Sequence, residues 1–102
     1  MTIDIKHEIK QTGDAEYTVS IKIDDNEPYS ETFCRSNAVW PAYRSMIDTV
    51  NKLEDCTVTV TTNSAPLEHE YNGAPNPNAT MLQHLKDVAA RKNVDLTILL
   101  TQ

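Results

Sequence analysis

The side chains able to do chemistry fall into a few short stretches. Glu68-His69-Glu70 has the residue types of a metal site. Adjacent residues on a helix point apart, however, and the spacing is not that of a His-Glu-x-x-His pair, so the stretch is not read as a metal centre. His7 falls between Ile5 and Ile9 on the apolar side of a strand, where a hydrogen-bonded buried imidazole is expected rather than a ligand. His84 is expected on a helix surface. Asp24, Asp25, Glu27 and Glu31 gather around one turn. They read either as solvated turn residues or as an acidic patch that meets a basic partner surface. In TVTVTTNSAPL (57–67) a strand runs into a polar turn, and Asn63 or Ser64 can cap the helix that follows. Asn63 is read as such a cap. Trp40, near the start of a longer helix, is read as a packing residue, with a ligand-stacking platform as the alternative.

The totals narrow the setting of these residues. With 102 residues, 39% hydrophobic and 24% charged, the chain is expected to form one globular domain spanning 1–102. The net charge of −6 and the scattered basic residues disfavour loose binding to phosphate backbones, so a nucleic-acid partner is not expected. No apolar run approaches the ~20 residues of a membrane helix, and no membrane partner is expected. The N-terminus MTIDIKHEIK has no signal-like apolar segment. With two cysteines that suit a reducing compartment, this points to a cytoplasmic location.

Elements that position these groups are legible from periodicity. Residues 2–9, 17–24 and 28–35 alternate and read as three strands, with turns at Gln11–Asp14 and Asp25-Asn26. Val39, Ala42, Tyr43, Met46, Ile47, Val50 and Leu53 then follow helical spacing, with Ser36 or Asn37 as cap and Pro41 tolerated in the first turn. Residues 57–62 form a fourth strand, with Val58 and Val60 inward and Thr57, Thr59 and Thr61 outward. A short helix ending at Asn72-Gly73, a loop APNPN, a second long helix through Leu85 and Val88, a left-handed stop at Asn93 and a last strand DLTILLT complete the order. Every strand alternates, so the sheet should be apolar on one face only. The simplest architecture is an α/β chain (α+β by layer) with a mixed five-stranded sheet and two main helices on one face. The threonine ladder on the other face needs no function, and Leu99 is its one apolar residue.

This order of elements resembles the ribonuclease H fold. CTVTVTTNSAPL is similar to that family's fourth strand and the Thr-Asp-Ser turn that ends it. CRSNAVWPAYRSMIDTVNKL resembles its loop and first long helix, and NPNATMLQHLKDVAARKNVDLTILLT its passage from helix to fifth strand. The resemblance covers residues 2 to 101 and implies a strand order 3-2-1-4-5. On that order Cys34 and Cys56 lie on strands that are not neighbours, and no disulfide is expected. Family members continue into further helices, so this chain is expected to be a truncated version.

The resemblance also implies a chemistry, two-metal hydrolysis of phosphodiesters with carboxylates holding the ions. The first-strand aspartate has Glu8 as its nearest match, the helix glutamate falls at or beside Trp40, and the fourth-strand aspartate falls at Asn63. The last aspartate belongs to a helix beyond this sequence. Mg2+ wants anionic oxygens, and an Asn offers no charge while a Trp offers no ligand atom. No cofactor or metal is therefore expected, and the chain is expected to be inactive and to act by binding another protein. Its candidate interaction surface is Asp24, Asp25, Glu27, Glu31, Thr57, Thr59, Thr61 and Leu99. A nuclease with a non-standard site built on Glu8 and Asp4, and a small acidic inhibitor that mimics nucleic acid, are the alternatives. The apolar edge TILL of the last strand also suggests a homodimer.

Overall fold

The alternation along each strand reappears as alternation in burial. The computed structural model describes residues 2–75 and 77–101. Its strands are β1 (Thr2–Gly13), β2 (Glu16–Ile23), β3 (Tyr29–Cys34), β4 (Cys56–Thr62) and β5 (Val94–Leu100), and its helices α1 (Val39–Val50), α2 (Ala65–Tyr71) and α3 (Ala79–Arg91). Ile3, Ile5 and His7 of β1 are buried while Thr2, Asp4, Lys6 and Glu8 are exposed. Val58 and Val60 of β4, and Leu96 and Ile98 of β5, are buried in the same rhythm.

The strands form one sheet of order β3-β2-β1-β4-β5. β1, β2 and β3 pair antiparallel, while β4 runs parallel to β1 and β5 parallel to β4. Parallel neighbours need a crossover, which α1 supplies between the hairpins and β4, and α2 with α3 between β4 and β5. The helices lie on one face, where Tyr43, Met46 and Val50 of α1 and Leu85 and Val88 of α3 meet the buried strand residues. Each such side chain contributes on the order of 1.5–3 kcal/mol by leaving water. The opposite face carries Thr, Ser, Lys, Asp and Glu and stays open to solvent.

The ends of the elements follow their local chemistry, with two departures from expectation. Asn63 does not cap α2. That cap is Ser64, whose Oγ accepts from Leu67 N, with Pro66 in the first turn and Gly73 at φ 108° just past the end. Strand β1 continues four residues beyond the expected end at residue 9, because Gln11 pairs with Tyr17 and Gly13 with Glu16 across a bulge. The turn falls instead at Asp14-Ala15, with Ala15 at φ 49°. Asn37 caps α1 from one position outside, its Oδ1 accepting from Val39 N at 2.9 Å. Asn93 takes the expected left-handed conformation, φ 55°, and its Nδ2 donates to Asp55 Oδ1 at 2.9 Å. Residue 76 of the APNPN loop and the chain termini 1 and 102 lie outside the described residues.

One polar chain runs through the core. Ser45 Oγ gives its proton to the Pro41 carbonyl at 2.7 Å, so it must accept from His7 Nε2–H at 2.8 Å. His7 Nδ1 then accepts from Thr62 Oγ1–H at 2.8 Å, and Thr62 Oγ1 accepts from Ser64 N–H at 3.1 Å. The imidazole is a neutral Nε2–H tautomer with both nitrogens satisfied, which ties β1 to α1 and β4. Burial lowers its pKa from 6.5 to about 4. The unfolded chain therefore takes up the proton first, and acid favours unfolding between pH 6.5 and about 4. Stability should fall by about 2 kcal/mol between pH 7 and pH 5 from this group alone. Urea titrations at the two pH values check this, and His7→Asn should lack most of the difference.

Candidate functional site

Of the positions that the resemblance singles out, Asn63 lies where β1 and β4 part. Main-chain pairing between them ends at His7 and Thr62. Asn63 N–H still donates to the His7 carbonyl at 3.3 Å, and then the backbone turns away into α2. From there the Asn63 side chain takes over. Its Oδ1 accepts from Ile9 N–H at 2.8 Å, and its Nδ2 donates to Ile9 O at 3.0 Å. A carboxamide has the donor and acceptor pair of a peptide group, so Asn63 prolongs the ladder by one step with its side chain. This use of Asn63 was not read from the sequence. The two residues are 54 positions apart, and only the register of β1 on β4 brings them together.

Glu8 and Trp40 are not brought to this point as a site would require. Glu8 is exposed on the open face of the sheet, while α1 packs on the other, so the sheet stands between Glu8 and Trp40. Trp40 turns toward β3. Its ring meets Phe33 edge-on at 5.8 Å between centroids, and the Arg35 guanidinium lies 3.9 Å over its face. It is a packing residue with a cation–π cover. The hollow beside Asn63, about 300 Å3, is lined by Ile9, Tyr17, Val39, Ser64, Pro66 and other residues, none of them a carboxylate.

A divalent metal centre does not fit these donors. Among the described residues no three His, Cys, Asp or Glu side chains converge as a metal site. Glu68-His69-Glu70 divides by helix geometry: His69 is exposed and touches Glu68 at 3.3 Å, whereas Glu70 is buried. Glu70 Oε1 accepts from the Tyr43 hydroxyl at 2.7 Å, and Asn78 Nδ2 reaches both carboxylate oxygens at 3.3 Å. Burial, together with the Glu70 carboxylate, pushes the Tyr43 hydroxyl above its ordinary range. The sequence carried a signal for this pair, since Glu70 follows the buried Leu67 at helical spacing.

The proposed interaction residues divide between two places. Asp24, Asp25, Thr59 and Thr61 line a hollow of about 300 Å3 on the open face, with Asp4, Lys6 and Lys22. Thr57 lies on the same face of β4, and Leu99, 50% exposed, sits opposite Thr61 on β5. Asp24 has a local role as well, its Oδ1 accepting from Asp4 N–H at 2.8 Å. Glu31 pairs with the buried Val19 and so belongs to the helix side of β3, away from that hollow. Cys34 and Cys56 are both free, the first exposed on β3 and the second buried on β4.

The Asn63 clamp makes a prediction about stability. Asn63→Asp keeps an acceptor for Ile9 N–H but sets a carboxylate oxygen against Ile9 O. Asn63→Ala removes both bonds. Each variant should lose about 1–2 kcal/mol in urea unfolding, with Asp no better than Ala despite its closer shape.

No protein-family model and no curated protein matches this chain. Solved structures do match it. LC11-RNase H1, determined in complex with an RNA/DNA hybrid, superposes with a TM-score of 0.77 at 16% identity, over 97% of this chain and 84% of that one. RNase H1 from the halophilic archaeon Halobacterium salinarum gives 0.74 at 12% identity, over 99% and 86%. The N-terminal RNase H domain of a Mycobacterium tuberculosis protein gives 0.69 at 13% identity, over 100% and 88%. Likeness at such identities is one of architecture. It agrees with the mixed five-stranded sheet of order 3-2-1-4-5, and this chain has a ribonuclease H-like fold.

Proposed function

We propose that this chain is a catalytically inactive ribonuclease H-like module that works by binding another protein. The observation that carries the reading is the Asn63 clamp. Where the resemblance calls for an anionic ligand, a neutral amide is committed on both its atoms to the backbone of β1. The rest of the donor set agrees. Glu8 is on the far side of the sheet from Trp40, and the hollow beside Asn63 has no acidic lining. Mg2+ held at one carboxylate would lack the charge that draws it from water. The acidic-mimic alternative is weaker, because Lys6 and Lys22 share the hollow with Asp4, Asp24 and Asp25 and interrupt the negative charge. Support for a protein-binding role comes from a broad open sheet face bearing hydroxyls and an exposed leucine.

The test is incubation of the purified chain with an RNA–DNA hybrid in low-millimolar Mg2+ or Mn2+. No hydrolysis above a mock preparation is expected, and Glu8→Gln should leave the result unchanged. In parallel, Mn2+ should broaden no cluster of amide resonances around Glu8 and Asn63. Hydrolysis that is lost in Glu8→Gln would overturn the reading in favour of a non-standard nuclease.

A further inference from the structure

The two edges of the sheet are treated differently by the fold. Thr101 N–H donates to the Thr62 carbonyl at 2.7 Å, which fixes the odd residues of β5 as those facing β4. The even residues face outward, and two of their carbonyls are taken. Tyr71 Oη–H donates to Leu96 O at 2.9 Å, and Asn72 Nδ2 to Ile98 O at 3.2 Å. Helix α2 thus lays polar side chains along this edge, one of the ways in which proteins block strand addition.

At the other edge, Arg35 N–H donates to the Ala15 carbonyl at 2.9 Å, so the odd residues of β3 face β2. The amides and carbonyls of Ser30, Thr32 and Cys34 point away from the sheet. Among the described residues none of these six backbone groups meets a partner. Beside them, between β3 and α1, runs a groove of about 360 Å3 whose lining includes Tyr29, Glu31, Asp48, Thr49, Asn51 and Lys52. A free edge flanked by a groove is the geometry for strand addition, with main-chain bonds on the edge and alternate side chains in the groove.

We propose that β3 is a docking edge for an extended segment of a partner protein with Lys or Arg at alternate positions. The inference deepens the protein-binding reading and rests on it. Charge selects the occupant. Glu31 borders the groove, and Asp24, Asp25 and Glu27 stand at the turn that leads into β3. Of the nearby bases, Arg44 is paired to Asp48 at 2.9 Å and Lys52 lies over the Tyr29 ring at 5.0 Å. A second copy is disfavoured, because antiparallel pairing of two β3 strands would bring Glu31 close to its counterpart between molecules that each carry −6. A basic strand meets the opposite situation at the same backbone.

The probes are two labelled extended hexapeptides, one alternating Lys with Val and one alternating Glu with Val. Binding is followed by fluorescence anisotropy and by amide shifts. The lysine peptide should bind, perturb Ser30, Thr32 and Cys34 most, and weaken as salt rises, while the glutamate peptide should not bind. Thr32→Pro removes an outward N–H and keeps the main-chain bonds to β2, losing only the hydroxyl contact with Thr18 at 3.0 Å, at a place where an edge strand tolerates proline. It should cut affinity at least tenfold, and so should Glu31→Lys, which keeps the backbone intact if the proline variant fails to fold. Shifts centred on β5 or on the threonine face, affinity insensitive to both variants, or a concentration-dependent dimer that Thr32→Pro dissolves would each overturn the assignment. A protein partner whose binding ignores both variants would sink this edge alone and leave the protein-binding reading standing. Acid-dependent hydrolysis of hybrid strands would instead sink that reading.

Discussion

The pairing of β1 with β4 joins the two halves of the molecule. On one side lie the hairpins β1–β2–β3, formed by local turns, and on the other the crossover elements from α1 to β5. Six registered pairs, from Thr2 with Thr57 to His7 with Thr62, make the seam. Beyond it the strands diverge, β1 toward Gly13 and β4 into α2, and a diverging pair tends to fray. Two polar devices hold the divergence. His7 braces it from within the core, against Ser45 and Thr62, and Asn63 braces it at the end of the seam, against Ile9. Both are neutral, which suits their surroundings, since burying a charge at the first would be costly.

That neutrality bears on chemistry. A centre that gathers divalent ions needs repelling acids held close together, and their mutual repulsion is offset only when the metal is present. Here the same corner is built from an amide, an imidazole and hydroxyls, which are satisfied by one another and by the backbone. The hollow above it is lined mostly by apolar atoms from Ile9, Tyr17, Val39 and Pro66. One corner of a fold can be optimised for cohesion or for ion binding, and the residues present serve cohesion. Glu70 shows the same economy: the one acid buried among the described residues is held by the Tyr43 hydroxyl and Asn78 rather than left to attract a cation.

Period and punctuation made the elements legible. Isoleucines and valines at every second position marked the strands, and Ala42, Tyr43, Met46, Ile47 and Val50 marked one helix face. Asn93 announced its left-handed stop. The order of strands in the sheet was not written in any single segment and came from likeness to a known fold. What stayed illegible was lateral. Asn63 looked like a cap because Asn commonly caps the helix just after it, whereas its partner Ile9 lies 54 positions away. The extension of β1 was hidden by Gly13, which reads as a turn residue but pairs with Glu16 across a bulge. Tyr71 and Asn72 gave no hint that they reach the rim of β5. Contacts of this kind depend on register, and register is a property of the assembled sheet.

The hydrogen bonds from Tyr71 and Asn72 to Leu96 and Ile98 also set the valency of the molecule. A sheet with two receptive rims can add a strand at each, and copies can then chain into a fibre. With two carbonyls of one rim occupied by its own chain, the two rims of this sheet are unequal among the described residues. That inequality works against copies pairing through both rims at once, the arrangement that growth along a sheet requires.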